Sequence, residues 1–125
     1  MTRLRHIKGR SWAIEPVGRA ARMGLYLSRR GQALLIDAGT AEMAAAALAL
    51  AKEKRFRIGA VLLTHSHPDH VLGARLLRAQ SGCQLLASAE TRRELARPAL
   101  HWRALFGLRP LHVDRTVKAG RFSFD

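Results

Sequence analysis

Cysteine is all but missing from this chain. Cys83 is the single thiol in 125 residues, which excludes an internal disulfide and fits a reducing, cytoplasmic setting. Long apolar runs are missing too: the longest, residues 43–51, is alanine-rich and far shorter than the ~20 residues a membrane-spanning helix needs. The first ten residues are basic but have no apolar centre, so they do not form a secretory signal. The sequence therefore reads as a soluble domain with no membrane partner. Aromatic residues are few (two Trp, one Tyr, four Phe), which argues against a base-stacking platform. Acidic residues are the scarcer charge, nine against 22 Lys and Arg, and leave a net charge of +13. A length of 125 residues allows one domain with a real core.

The basic excess comes mostly from arginine, 18 of the 22 cationic residues. A dedicated nucleic-acid footprint clusters on one face or stripe. Here the cations are scattered from Arg3 to Arg121, with only short pairs such as Arg29-Arg30 and Arg92-Arg93. Such a surface attracts polyanions non-specifically and carries no sign of sequence recognition.

Histidine is concentrated instead. Three of the six fall within Thr64-His65-Ser66-His67-Pro68-Asp69-His70, with an aspartate before the last. Residues 58–63 ahead of them are short, apolar and branched, the mark of a buried strand. A helical pattern follows from Val71 and stops near Gly82, with Arg75 and Arg78 outward and Leu72, Leu76 and Ala79 inward. The cluster thus sits where a strand gives way to a helix, a usual place for ligand sites in sheets with crossover helices. Alternation along an extended segment points His65 and His67 the same way, able to share one metal ion. Asp69 and His70 lie in the first helical turn and can reach a second ion. Imidazoles with one carboxylate suit zinc, and also iron or manganese.

The rest of the chain reads as alternating elements. Residues 12–15, 24–28 and 33–37 form short strands, separated by turn signals at Pro16, Gly18 and Gly31 and meeting antiparallel. Thr40 caps a helix over 41–54, with Met43, Ala47, Leu50 and Ala51 inward. After residues 84–87, another strand, Ser88 caps a helix over 89–97. Residues 98–110 are irregular, with Trp102, Leu105 and Phe106 packing under a loop or short helix. Residues 113–125 alternate as an edge hairpin turning at Gly120, with Val113, Val117, Phe122 and Phe124 on one face. His6, His101 and His112 read as ordinary surface histidines. Asp37, at a strand end, is either an acceptor for an imidazole N–H or a turn carboxylate.

The motif from Thr64 to His70, followed by Gly73, resembles the signature of the metallo-β-lactamase superfamily of hydrolases. Leu34-Leu35-Ile36-Asp37-Ala38-Gly39 and Leu25-Tyr26-Leu27 are similar to two of its strands, so the resemblance covers about residues 11 to 125. It departs at Leu72, where many members have a second glycine. The resemblance implies two adjacent metal ions. One takes His65, His67 and a later histidine; the other takes Asp69, His70 and a further histidine, with Asp69 serving as general base where only one ion binds. It also implies an α/β (α+β) fold: residues 1–125 as one domain, the N-terminal αβ half of an αββα sandwich, a mixed sheet with helices on one side. The expectation is a C-terminally truncated hydrolase of small esters, thioesters or lactones, inactive as this fragment. Its open sheet face then awaits the missing half or a partner chain. The alternatives are a nuclease of the same superfamily and a non-catalytic interaction module.

The scattered arginines generate a prediction. Two unrelated oligonucleotides should bind with equal affinity, and that affinity should collapse as salt rises, because counterion release dominates it. A preference for one oligonucleotide that survives physiological salt would contradict a non-specific surface.

Overall fold

The computed structural model describes residues 2–16, 22–118 and 120. Among them the elements run β1 (Thr2–Lys8), β2 (Ser11–Pro16), β3 (Met23–Leu27), β4 (Gln32–Ile36), α1 (Ala41–Lys54), β5 (Arg57–Leu63), α2 (Pro68–Val71), α3 (Ala74–Ser81), β6 (Gln84–Ala87), α4 (Ala89–Ala96), α5 (Leu100–Phe106) and β7 (Arg115–Thr116). The seven strands form one sheet in sequence order. β1 to β4 pair antiparallel, and β5, β6 and β7 are each added parallel to the strand before. Parallel neighbours need crossover helices, and successive crossovers of one hand moving in one direction place those helices on one face.

Burial follows that asymmetry. The larger core joins one sheet face (Met23, Leu25, Leu35, Val61, Leu63, Leu85) to buried helical residues such as Met43, Ala47, Leu77 and Leu95. A smaller cluster on the opposite face, Leu34, Ala60 and Leu86, with Ile36, Leu62 and Val117 against it, contains no helical residue. The expected mixed sheet with helices on one side is the architecture observed. No helix among the described residues is long and apolar enough to cross a membrane.

Local chemistry accounts for the element ends. Thr40 and Ser88 cap α1 and α4 as their positions predict, the hydroxyls accepting from Met43 N at 3.3 Å and Thr91 N at 3.1 Å. Gly82 closes α3 in the left-handed conformation. Glu15, buried in β2, gathers Arg5, Arg3 and Arg22; the Arg5 guanidinium above all holds its carboxyl below the usual range. Burial pushes the Cys83 thiol up, as befits an inert core residue.

Several sequence expectations need correction. β1 was not foreseen; it alternates Arg3 and Arg5 with a partly buried Leu4, a pattern hidden by its charge. Cationic side chains suit a strand at the sheet edge. The helix after the histidine motif is two helices broken at Gly73; its fully buried residues are Val71, Ala74 and Leu77, with Leu76 packed against the core as expected, while Leu72 is only partly buried and Ala79 is exposed. The cause is Gly73 itself, which packs against the loop after β4 and so turns its own side of the helix inward. Arg78 is only half outward: it donates to His112 O and, at 3.1 Å, to Asp114. Residues 100–106 form the short helix, one of the two alternatives expected, but Leu105 and Phe106 stay 71% and 47% exposed, Phe106 with its ring 5.7 Å from that of Trp102.

Val113 and Val117 do not share a face. Val113 is in the helix-side core and Val117 against the other cluster, because the chain bends at Asp114. There Asp114 N donates to Leu85 O, and its carboxylate accepts from Leu85 N at 2.7 Å. Burial alone raises the pKa of Asp114, but Leu85 N–H and Arg78 outweigh it and hold the carboxyl below its ordinary value. The second arm of the expected hairpin, with Phe122 and Phe124, and the Gly18 turn lie outside the described residues.

Gly73 offers a test of the packing. A Cβ there would lie 2.4 Å from Ala38 O, 2.6 Å from Ala44 Cβ and 2.8 Å from Thr40 O, two of them backbone atoms with no room to yield. Gly73→Ala should cost about 3 kcal/mol or more by denaturant unfolding. Gly82→Ala, in open space at φ +67°, should cost only about 1 kcal/mol. Equal losses would show that the Gly73 contact does not govern stability.

Candidate metal centre

The motif begins where β5 ends, at the carboxyl edge of the parallel strands. Its first fixed point comes from the neighbouring strand end. Asp37, just past β4, continues the ladder through Asp37 N to Leu62 O and then turns left-handed at φ 67°, a conformation aspartate tolerates better than most residues. That turn sends its carboxylate, almost wholly buried, beneath the end of β5. There it accepts from Thr64 N at 2.8 Å, from the Thr64 hydroxyl at 2.9 Å and from His70 Nδ1 at 2.8 Å. Asp37 is thus both of the things its sequence position suggested, a turn carboxylate and an imidazole acceptor.

Two histidine tautomers follow. His70 gives its Nδ1 proton to Asp37 and so presents Nε2. The Thr64 hydroxyl spends its one proton on Asp37, so its contact with His65 Nδ1 at 2.8 Å must be accepted from the ring, and His65 also presents Nε2. The backbone locks the same loop: Ala38 N donates to His70 O, and Gly73 N to Gly39 O. Pro68, at the first position of α2, fixes the turn between His67 and His70.

Of the four predicted ligands, His65 and His70 are brought together with Asp37, while His67 and Asp69 stand beside them outside that group. The His65 ring lies 3.9 Å from His70 and 4.7 Å from His67 between centroids, and Asp69 Oδ1 is 3.8 Å from His70 Nε2. His67 is exposed and stands 6.0 Å from the Trp102 ring. Ser66 points away and donates to Glu94 Oε2 at 2.8 Å, tying the loop to α4. Potential ligand atoms of Asp37, His65 and His70 lie within 4.8 Å of one another. Asp37 nonetheless fits a supporting role better than a ligand's, since both its oxygens already accept hydrogen bonds. Half-exposed Asp69 has its carboxylate free of such donors among the described residues. An imidazole-rich, singly acidic donor set with two rings pre-oriented suits zinc-type ions. His6, His101 and His112 stay on the surface as expected: His6 bonds Gly9 O, and His101 lies against Trp102. Trp102 and Glu94, neighbours of the motif in space, carry no spacing signal; only the tertiary contact reveals them.

The fold is thus a mixed sheet with helices on one face, bearing this cluster at the ends of its parallel strands. The chain belongs to the metallo-beta-lactamase superfamily, whose family model matches residues 22–123. Among solved structures it is similar to the metallo-β-lactamase MIM-1 from Novosphingobium pentaromativorans, at 28% identity and a TM-score of 0.71, covering 91% of this chain and 44% of that one. A metallo-β-lactamase from Cronobacter sakazakii, in a mutant form, shares 25% identity at a TM-score of 0.71 over 90% of this chain and 46% of its own. FEZ-1 from Legionella gormanii, at 20% identity, has the same fold with a TM-score of 0.76 over 97% of this chain and 48% of its own. The chain therefore spans about half the length of the solved structures it matches. No curated protein sequence matches it significantly.

The Asp37 network predicts a spectrum. With the imidazoles neutral and metal absent, long-range proton–nitrogen NMR should show His65 and His70 as Nδ1–H tautomers. Asp37→Asn tolerates the same left-handed backbone but removes the charged acceptor, so His70 should become a tautomer mixture. An unchanged His70 signature in that variant would show that Asp37 does not set the ring.

Proposed function

We propose that this chain supplies the metal-binding half of a metal-dependent hydrolase acting on small ester, thioester or lactone substrates. The carrying observation is the closeness of His65 and His70 at one strand end, with His67 and Asp69 beside them and with Asp37 and Thr64 already orienting two of the rings. Zinc is the ion we assign, as a pair in the assembled enzyme, with iron or manganese compatible with the same donors. Such ions acidify water and polarise a carbonyl or phosphoryl oxygen. His65 and His67 hold one ion in this reading, and Asp69 and His70 the other. Asp69 is the residue we assign to catalysis: its half-exposed carboxylate faces the cluster, supplies the charge that holds the second ion, and can take a proton where one ion binds alone.

Two ligands per ion fall short of the three protein ligands that catalytic zinc generally has. We therefore place the remaining ligands on further polypeptide. A cytoplasmic setting accords with Cys83 as the lone, buried thiol. The charge of +13 favours a nuclease as the second reading. The helix-free sheet face favours a third, a non-catalytic interaction module.

Zinc competition against a chromophoric chelator tests the site. The 125-residue chain should bind zinc weakly, and joint His65→Ala and His67→Ala should remove most of that affinity. With zinc or manganese alone it should not turn over ester, thioester, lactone, β-lactam or DNA. Activity should appear once the complementary polypeptide is supplied, and there Asp69→Asn should cost several orders of magnitude. Zinc-dependent turnover by the chain alone, abolished by alanine at His101 or His112, would overturn the ligand assignment.

A further inference from the structure

Ser66 sits between two histidines but faces the other way, and its side opens on a cavity of about 300 Å³ between α3, α4 and α5. That volume is at the lower end of the ~300–1,000 Å³ usual for small-molecule sites. The apolar part of the lining is fixed: Leu95 and Leu111 are buried at 3% and 5% exposure, and the Trp102 ring forms a wall. The polar part is cationic. Arg75, Arg97 and Arg109 line the cavity against a single carboxylate, Glu94, which is engaged with Ser66. Arg75 is held by Pro110 O, whereas Arg97 and Arg109 have no hydrogen-bonding or ionic partner among the described residues.

We propose that this cavity binds a small amphipathic carboxylate, its apolar end on Leu95, Leu111 and Trp102 and its head on Arg97 and Arg109. Two unengaged guanidiniums match a planar carboxylate, and their forked donors give such pairs their strength. Glu94 and the engaged Arg75 leave enough positive charge for a monoanion and disfavour a dianion. The chain's net charge of +13 draws anions toward the mouth. The site does not depend on metal or on the hydrolase reading. It touches the metal loop at two points, through Ser66 and through Trp102, whose ring is 6.0 Å from that of His67.

Octanoate is the probe, titrated into the metal-free, nitrogen-15-labelled chain. The two tryptophans report it: Trp102 lines this cavity, while Trp12 lines a separate one beside Leu4 and Phe56. The Trp102 indole N–H should shift saturably with the Trp12 signal, assigned through Trp12→Phe, staying in place. Octanol and octylamine, of equal chain length, should bind about tenfold more weakly, since neither satisfies the guanidiniums. Joint Arg97→Gln and Arg109→Gln, both at exposed positions, should raise the octanoate Kd about tenfold. Ala99→Phe, which fills the cavity, should abolish the shift. Equal binding of octanoate and octanol, joint movement of both indoles, or an unchanged Kd in the double Gln variant would each overturn the site.

Discussion

One buried carboxylate holds the functional end of this protein together. Asp37 draws the end of β4, the start of the motif at Thr64 and the α2 histidine His70 onto a single side chain. A carboxylate taken from water this completely is costly unless every oxygen is hydrogen-bonded. Here backbone, hydroxyl and imidazole donors satisfy it. The left-handed backbone at Asp37 is a local strain of the kind found at functional sites, maintained by the same three donors. Removing any of the three would expose the others to a lost partner, so the network behaves as a unit.

Steric demand extends that unit into the fold. The loop after Asp37 is bonded through its backbone to His70 and Gly73, which brings Ala38 O to a distance at which only hydrogen fits on the Gly73 Cα. The glycine of the motif is thus explained by packing with no appeal to the metal. Its position sets the phase of α3 and so decides that Ala74 and Leu77 enter the core. α1 complements it with alanines at 44 and 47, small enough for close approach of the two helices.

The two faces of the sheet behave differently for one topological reason. Sequential parallel strands joined by crossovers of one hand leave all helices on one side, so the other side of β4, β5 and β6 carries its own small apolar cluster with no helix in it. Its residues are apolar, Leu34, Ile36, Ala60, Leu62 and Leu86, which explains why β5 reads as hydrophobic throughout instead of alternating. On the helix side, the metal loop is braced from behind by Ser66 on Glu94 and Trp102 beside His67.

The sequence by itself determined what repeats or abuts along the chain. The strand-to-helix position of His65, His67, Asp69 and His70, the caps at Thr40 and Ser88, the stop at Gly82 and the order of β2 to β6 all follow from local periodicity and hydrogen-bonding chemistry. Tertiary structure alone decided the rest, because those features depend on partners far apart in sequence. The two readings of Asp37 stayed open until Thr64 and His70, 27 and 33 residues away, were seen on its oxygens. The inward face of α3 depended on Ala38 and Thr40 crowding Gly73. The split of Val113 and Val117 to opposite faces depended on Leu85 bending the chain at Asp114. The charged edge strand β1 offers little apolar alternation, so only its pairing with β2 identifies it. Periodicity reports which side of an element is apolar; where that side points, and what stands opposite, is fixed by contacts that no local window contains.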